Sequence, residues 1–530
     1  MAVVTEGKFR LSRQPDPVLV ARLVERVVAS PRARTHTTTA PFTGERVADV
    51  PLSTPADVAL AVDSARAAQR RWAERPLADR ARVLLRLHDI VLAEQSEALD
   101  LIQMEGGKAR VHAYEEIADV AIVARHYARR GAGYLRTRRR AGLVPGLTVT
   151  HELLHPVGVV GIISPWNYPL TLAVSDALPA LMAGNAVVLK PDSQTPLTAL
   201  WAADALSRAG LPEGVLQIVV GDGPAIGGAL VNSADYVCFT GSTATGRLVA
   251  EQAGRRLVGA SLELGGKNSL YVADDANLQV AAEGAVRACF SSAGQLCVSM
   301  ERLVLHERIA DDFLAAFLPK VQSLRLGASL DYTADMGSLV SAAQLETVTR
   351  HVEDAVAHGA TVLAGGSPRP DVGPLFYEPT VLDGVTPAAE CYDKETFGPV
   401  VSVHRVASDD EAVRFANGTD YGLNASIWTS DVRRGRRIAA RIHAGTVNVN
   451  EGYMAAWGSV GAPMGGMRQS GLGRRHGAVG ITKYTEPQAV SVQLGASRGL
   501  GLGRFFDLPA ERWTGAFTQA LRVMKAVGWR

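Results

Sequence analysis

Two segments of this 530-residue chain carry side chains able to do covalent chemistry. The first is FSSAGQLCVS (290–299), where Cys297 sits in a polar, glycine-containing setting instead of on an apolar helical face. A free thiol is only a few per cent ionised at neutral pH, so a nucleophilic cysteine needs a base or an electropositive site. No histidine lies near Cys297 in sequence, and a cysteine–histidine pair is not signalled. Cys238, inside VCFT, and Cys289 read as core cysteines. The second segment is LELGGKNS (262–269), in which Glu263 ends an apolar run and precedes two glycines that let the backbone turn tightly beside a ligand. A carboxylate partly desolvated by apolar neighbours has a raised pKa and suits a general base. An acid that caps a turn is the alternative, and the residues alone leave the two even.

Two glycine-rich turns stand near these segments. FTGSTATG (239–246) follows an apolar run, and Gly241, Ser242 and the amides of a following helix could hold a pyrophosphate. The spacing from Gly241 to Gly246 is not GxGxxG, so the turn by itself is a weak signal. GDGPAIG (221–227) is equally weak, yet two such turns at successive strand ends favour a nucleotide site.

The elements that must position these groups follow a clear rhythm. Residues 55–104 read as helical, with Val58, Ala59, Val62 and Ala65, then Val83, Leu84, Leu87, Ile90 and Val91 at helical spacing. From about residue 156, the apolar runs 157–164, 186–191, 215–220 and 235–240 alternate with helical stretches such as 170–184, which reads as amphipathic. That alternation marks βαβ units on a parallel sheet covered on both faces. A second series follows Gly265–Gly266, with strands expected at 269–274, 301–306, 399–406, 423–429 and 445–450. The fold class is therefore α/β, two parallel-sheet lobes with a ligand crevice between them. TRRRAG (137–142) reads as the start of an arm and 483–492 as a late strand. The last stretch places Phe517, Leu521, Met524 and Val527 near helical spacing on a basic, amphipathic segment. Packing on the body of the protein or on a partner subunit is its expected role, with docking on a membrane surface the alternative.

Composition narrows the function classes. Lys+Arg 55 against Asp+Glu 53 gives a formal charge of +2, which argues against a protein built to hold nucleic acid. No run approaches the roughly 18–20 apolar residues of a membrane span, and MAVVTEGKFRLSRQ lacks the apolar core of a secretory signal. Four cysteines with no zinc-like spacing predict neither a disulfide scaffold nor a metal site. A cytoplasmic enzyme is expected, with no stable membrane insertion.

Together the segments resemble the aldehyde dehydrogenase superfamily. SPWNYPL, GNAVVLKPDSQTP, FTGSTATG, LELGGKN, AGQLC, KETFGPV and PMGGMRQSGLGR occur in that family's order over about residues 40–490, and Cys297 stands thirty-four positions after Glu263, as in the family. The resemblance implies two Rossmann-like lobes: a cofactor-binding domain from 1–135 and 153–264, a catalytic domain from 265–481, an oligomerisation arm from 136–152 and 482–494, and a C-terminal amphipathic extension at 495–530. It implies that Cys297 adds to an aldehyde carbon, that the Asn167 amide and the Cys297 backbone N–H stabilise the oxyanion, and that Glu263 activates the hydrolytic water. It places Trp166, Gly241 and Ser242 near the cofactor phosphates, Lys190 at the adenosine ribose, Glu395 at the nicotinamide ribose and Phe397 beside the ring.

Cofactor and substrate are read from departures within the resemblance. NAD-preferring relatives often carry Glu three positions after the lysine; Ser193 stands there, which favours NADP over NAD, while Asp192 opposes it if it points inward. LKPDSQTP and VNEG (449–452) resemble the succinate-semialdehyde dehydrogenase branch, so succinate semialdehyde is the expected small-molecule aldehyde. That branch carries an arginine in an FRN-type string where this chain has Phe290–Ser291–Ser292, and Ser299 replaces a second cysteine beyond the nucleophile. Arg129 or Arg130 could replace the charge; a solvated basic face is the other reading. Tyr453, Met454 and Trp457 make the 450–463 loop apolar, which suits a broad or hydrophobic aldehyde specificity as the alternative. A CoA-acylating enzyme and a non-catalytic binding relative are disfavoured by Glu263 and by the intact Cys297, Glu263 and Asn167. Pairing of edge strands through the arm implies a homodimer or homotetramer.

Overall fold

The computed structural model describes residues 9–144, 147–498 and 501–528. Two twisted sheets form its centre. In the first, five parallel strands stand in the order Gly259–Glu263, Tyr236–Thr240, Val159–Ile163, Ala186–Lys190 and Leu216–Ile218. The three central strands are apolar and almost continuously buried, as a sheet with helices on both faces requires. Strand order reverses about Val159–Ile163, so the loops after Ile163 and Thr240 diverge and leave a crevice at the carboxyl ends.

The second sheet has seven strands, in the order Thr361–Ala364, Thr380–Asp383, Val400–Val406, Met300–His306, Asn268–Val272, Asn424–Trp428 and Thr446–Val449, antiparallel only at the first pair. The pair at 361–364 and 380–383 was not legible in the sequence, because each strand is four residues long. An N-terminal hairpin, Thr35–Thr39 with Arg46–Pro51, is likewise unforeseen; its threonine-rich first strand lacks an apolar pattern.

Two expectations change in detail. The helical run at 55–104 is three helices, Pro55–Glu74, Leu77–Ala93 and Gln95–Gly106. The stretch at 170–184 is not amphipathic: it splits into Pro169–Val174 and Ala177–Ala183, and every residue of both is buried. Its polar residues mislead because Asp176, at the break, is ion-paired inside the protein with Arg475 and Lys483.

Residues 138–141, 148–156 and 485–493 form a separate antiparallel sheet, with Thr485 opposite Pro156 and Gln493 opposite Thr148. Its outer strand is largely exposed. Late in the chain, Gly471–Leu472 pairs antiparallel with Glu263 and Leu262, so a segment that follows the second sheet in sequence closes the edge of the first. The C-terminal helix Ala510–Ala526 buries none of its residues; Trp513, Phe517, Leu521 and Met524 face a groove also lined by Leu143, Val144 and Leu502. Among the described residues, no helix is long and apolar enough to cross a membrane and no group of His, Cys, Asp and Glu is arranged to hold a metal ion.

Candidate active site

Three strand ends of the first sheet and two loops of the second converge on one crevice of about 250 Å³. Trp166 and Asn167 follow Ile163, Gly241 and Ser242 follow Thr240, and Glu263 ends its own strand. Cys297, Glu395 and Phe397 reach the same crevice from the other side, with Leu172, Leu264, Gly265 and Gln344 between them. Eight of the ten residues expected to act therefore line one space.

Cys297 is the half-buried cysteine of the four, all of which carry free thiols; Cys238 and Cys289 are core residues. Ser292, Ala293 and Gly294 in succession adopt positive φ angles of 52°, 55° and 69°, which turns the chain sharply out of the preceding helix. Two non-glycine residues held there mark a backbone fixed by its surroundings. A side chain on Gly294 would overlap the Gly398 carbonyl. Downstream, the Asn268 side-chain amide donates to the carbonyls of Cys297 and Ser299 at 2.8 and 2.7 Å. Burial, then the Glu395 carboxylate, push the thiol up to about 12, while Arg475 pulls it down.

Asn167 is buried, and its amide donates to the Gln295 carbonyl at 3.1 Å. Its own main-chain carbonyl accepts from the Lys108 ammonium at 2.5 Å, and Lys108 pairs with Glu116 at 2.6 Å. Glu116 also accepts the N–H groups of Leu170 and Thr171, so one buried pair anchors both sides of the loop. Glu263 is 8% exposed, and its Oε1 has no hydrogen-bond partner among the described residues. That oxygen makes none of the hydrogen bonds a turn-capping acid would make, which favours the other sequence reading. Burial raises its pKa to about 7 against the pull of Arg475 and Lys483.

The cofactor candidates fall into two groups. Glu395 accepts the Gly266 N–H at 2.8 Å, and a Cβ on Gly265 would overlap its carboxylate, which explains that glycine. Trp166 and Phe397 meet edge-on with centroids 5.5 Å apart. Ser242 caps the helix Thr243–Arg255, accepting from the Thr245 N–H. Lys190 and Ser193 do not line the crevice. They lie at the end of the neighbouring strand, where Ile163 registers with Lys190 and the Ser164 N–H donates to the Lys190 carbonyl. The Lys190 ammonium is buried with one carbonyl partner, that of Pro191 at 3.2 Å, and burial lowers its pKa. Asp192 turns back on its own loop and accepts the Gln194 N–H at 2.9 Å. A partly paired cation and a helix N-terminus at the carboxyl ends of parallel strands, with the Glu395 carboxylate against Gly265 and Gly266, fit a dinucleotide.

A model of the aldehyde dehydrogenase family matches residues 28–490. The chain belongs to the aldehyde dehydrogenase family. A Mycolicibacterium smegmatis protein provisionally named succinate-semialdehyde dehydrogenase [NADP(+)] is 53% identical over 489 residues, covering 92% of this chain and 94% of that protein. The mitochondrial succinate-semialdehyde dehydrogenase of rice (Oryza sativa subsp. japonica) is 36% identical over 451 residues, 84% of each chain. The solved succinate-semialdehyde dehydrogenase from Burkholderia pseudomallei superposes with a TM-score of 0.85 at 34% identity, over 91% of this dehydrogenase and all of that chain.

A second, narrower space of about 90 Å³ lies beside Leu296, lined by Glu115, Asp119, Ile122, Tyr168, Tyr453 and Trp457 among others. Sequence reasoning named Tyr453, Met454 and Trp457 here but missed Glu115 and Asp119. Glu115 accepts from the Tyr168 and Tyr453 hydroxyls, both at 2.8 Å, and Asp119 accepts from the Trp457 indole at 2.7 Å. Arg129 and Arg130 are exposed and line neither space, so the solvated-face reading holds for both. Lys108, Glu116 and Gln344 were also missed. Glu116 is a charge inside a helical pattern, Lys108 a lysine in the loop between two helices and Gln344 a neutral amide in a helix, and all three types ordinarily occupy solvated positions.

Proposed function

We propose that this dehydrogenase oxidises succinate semialdehyde to succinate with NADP+ through a covalent bond to Cys297. The observation that carries the chemistry is a single crevice lined by Cys297, Asn167 and Glu263 together with Glu395 and Phe397. The Cys297 sulfur, as thiolate, adds to the aldehyde carbon, and the oxygen becomes an alkoxide in reach of Asn167. Preorganised donors at such an oxyanion are worth about 3–4 kcal/mol each. Bound dinucleotide supplies the acceptor for the hydride that leaves that carbon. Trp166, Gly241, Ser242, Lys190 and Ser193 would hold its phosphate and adenosine side, and Glu395 and Phe397 its nicotinamide side. The carbon is then a thioester of Cys297. Glu263 takes a proton from water, the hydroxide adds to the carbonyl, and the C–S bond breaks to release the acid and the thiolate.

Ser193 in place of an acid and the buried Lys190 favour NADP over NAD, and the name of the relative at 53% identity supports both cofactor and substrate. Expected assembly is a homodimer or homotetramer through the exposed strand Thr485–Gln493, in the cytoplasm. A second reading, a less polar aldehyde, is favoured by the passage beside Leu296: its walls are aromatic, carry Glu115 and Asp119, and include no lysine or arginine. A panel of aldehydes with and without a terminal carboxylate, assayed with NADP+ and NAD+ by absorbance of the reduced cofactor, separates the readings. Succinate semialdehyde with NADP+ should give the highest kcat/KM. Preference for uncharged aldehydes selects the second reading, and no reduction with any aldehyde overturns both.

A further inference from the structure

The segment that returns to the first sheet surrounds Glu263. Gly471 pairs with it across the strand edge, and a Cβ on Gly465 would lie 3.0 Å from its Oε1. Met464 and Arg475 exchange main-chain hydrogen bonds, which fixes where the Arg475 side chain starts. From there the guanidinium runs inward. It donates to Asp176 Oδ2 from Nε at 3.0 Å and Nη2 at 2.7 Å, and to Thr240 Oγ1 at 2.6 Å. Thr240 is the residue in register with Glu263 on the neighbouring strand.

Asp176 is shared. Its other oxygen accepts from Lys483 Nζ at 3.0 Å and from the Tyr484 hydroxyl at 2.8 Å. Lys483 also donates to Ser261, two residues before Glu263 and on the same face of its strand. Asp176, Arg475 and Lys483 are each under a tenth exposed at the side chain. Two buried cations therefore share one partner carboxylate, and the excess positive charge lies against the strand face that carries Glu263. The charged or titratable groups facing Glu263 are Arg475 and Arg474 from the returning segment, Lys483 beyond it, Asp176 from the helix break and the Cys297 thiol across the crevice.

We propose that Arg475, braced by Asp176 and Thr240 and backed by Lys483, is a positioning residue that keeps Glu263 able to ionise inside a dry site. The inference rests on Glu263 acting as the hydrolytic base. Without a nearby cation a carboxyl this deep holds its proton well above neutrality, and the thioester waits. Asp176 has the opposite influence: it offsets part of the cationic field.

The opposed signs provide the test. The hydride burst per site and the steady-state rate are followed from pH 5.5 to 9.5 for R475M, R475K, K483M and D176N, with folding checked by circular dichroism. R475M and K483M should keep the burst while the acidic limb of turnover moves alkaline by about one pH unit. D176N should move it the other way, and R475K should restore most of the original midpoint. If R475M does not fold, K483M and D176N still carry the two opposed signs. Unmoved midpoints in the folded variants, or K483M and D176N moving the same way, would overturn the proposal and leave the cluster purely structural. E263Q distinguishes the underlying reading: full turnover with an unchanged limb in that variant removes Glu263 as the base, whatever Arg475 does.

Discussion

The Lys108 ammonium donates to the main-chain carbonyl of Asn167 at 2.5 Å, so a residue fifty-nine positions earlier holds the loop that presents the oxyanion amide. Its other partner is the Glu116 carboxylate, itself fully buried. Breaking one member of such a pair strands the other charge and costs about 3–5 kcal/mol. Lys108→Met should lower the urea-denaturation free energy by about that much. Adding Glu116→Gln should cost less than the sum of the two single changes.

The resting thiol should be sluggish. With Cys297 pushed up to about 12 by burial and Glu395, the thiolate fraction is small at pH 7 and grows about tenfold per pH unit. Iodoacetamide alkylation should follow that slope from pH 7 to 10 without a plateau; a plateau near pH 8 would mean the thiol is already activated. Cys297→Ala should remove the modification and all aldehyde oxidation while dinucleotide binding, read by protein fluorescence, persists.

Deacylation should depend on Glu263. Burial sets its carboxyl near 7, so it is protonated and idle as a base below that pH and ionised above it. Turnover should therefore rise as pH passes through about 7. Glu263→Gln should give one burst of reduced cofactor per site and then stall, with that limb gone. Equal loss of burst and turnover would assign the carboxylate to thiol activation instead.

The cofactor preference should yield to one substitution. Ser193 stands half-buried beside Lys190, where a carboxylate would repel a 2′-phosphate and accept ribose hydroxyls. Ser193→Glu should shift the NADP+ to NAD+ ratio of kcat/KM toward NAD+ by about tenfold, or about 1.4 kcal/mol. An unchanged ratio would place recognition of the phosphate elsewhere.

Charge in the aromatic-walled space beside Leu296 should be readable too. Glu115, held by Tyr168 and Tyr453, opposes any carboxylate that passes it. Glu115→Gln keeps an acceptor oxygen for one tyrosine hydroxyl, presents its NH2 to the oxygen of the other, and removes the charge. The variant should raise kcat/KM for succinate semialdehyde several-fold, about 1 kcal/mol, and leave butanal unchanged. Equal effects on both substrates would mean the residue only supports the aromatic wall.

Much of this was legible in the chain itself. Runs such as AVVLK and YVCFT are apolar because a parallel strand is covered on both faces, and that pattern survives in sequence. Cys297 and Glu263 stood out because their neighbours are glycine-rich or polar where packing alone would ask for neither, whereas Asn167 was picked out by the resemblance of SPWNYPL to the family's motif. The order of motifs then tied them together.

What folding alone decided is electrostatic company. Asp176 and Arg475 lie 299 residues apart, and Lys108 and Asn167 fifty-nine, so no local spacing joins them. In sequence Asp176, Arg475 and Lys108 are each one more charge, and charges are ordinarily solvated. That Glu263 Oε1 makes no capping hydrogen bond is likewise a fact only three-dimensional packing could reveal. Local periodicity encodes which face a residue buries; it carries no information about which distant ion meets it there, and that meeting sets the proton affinities of the site.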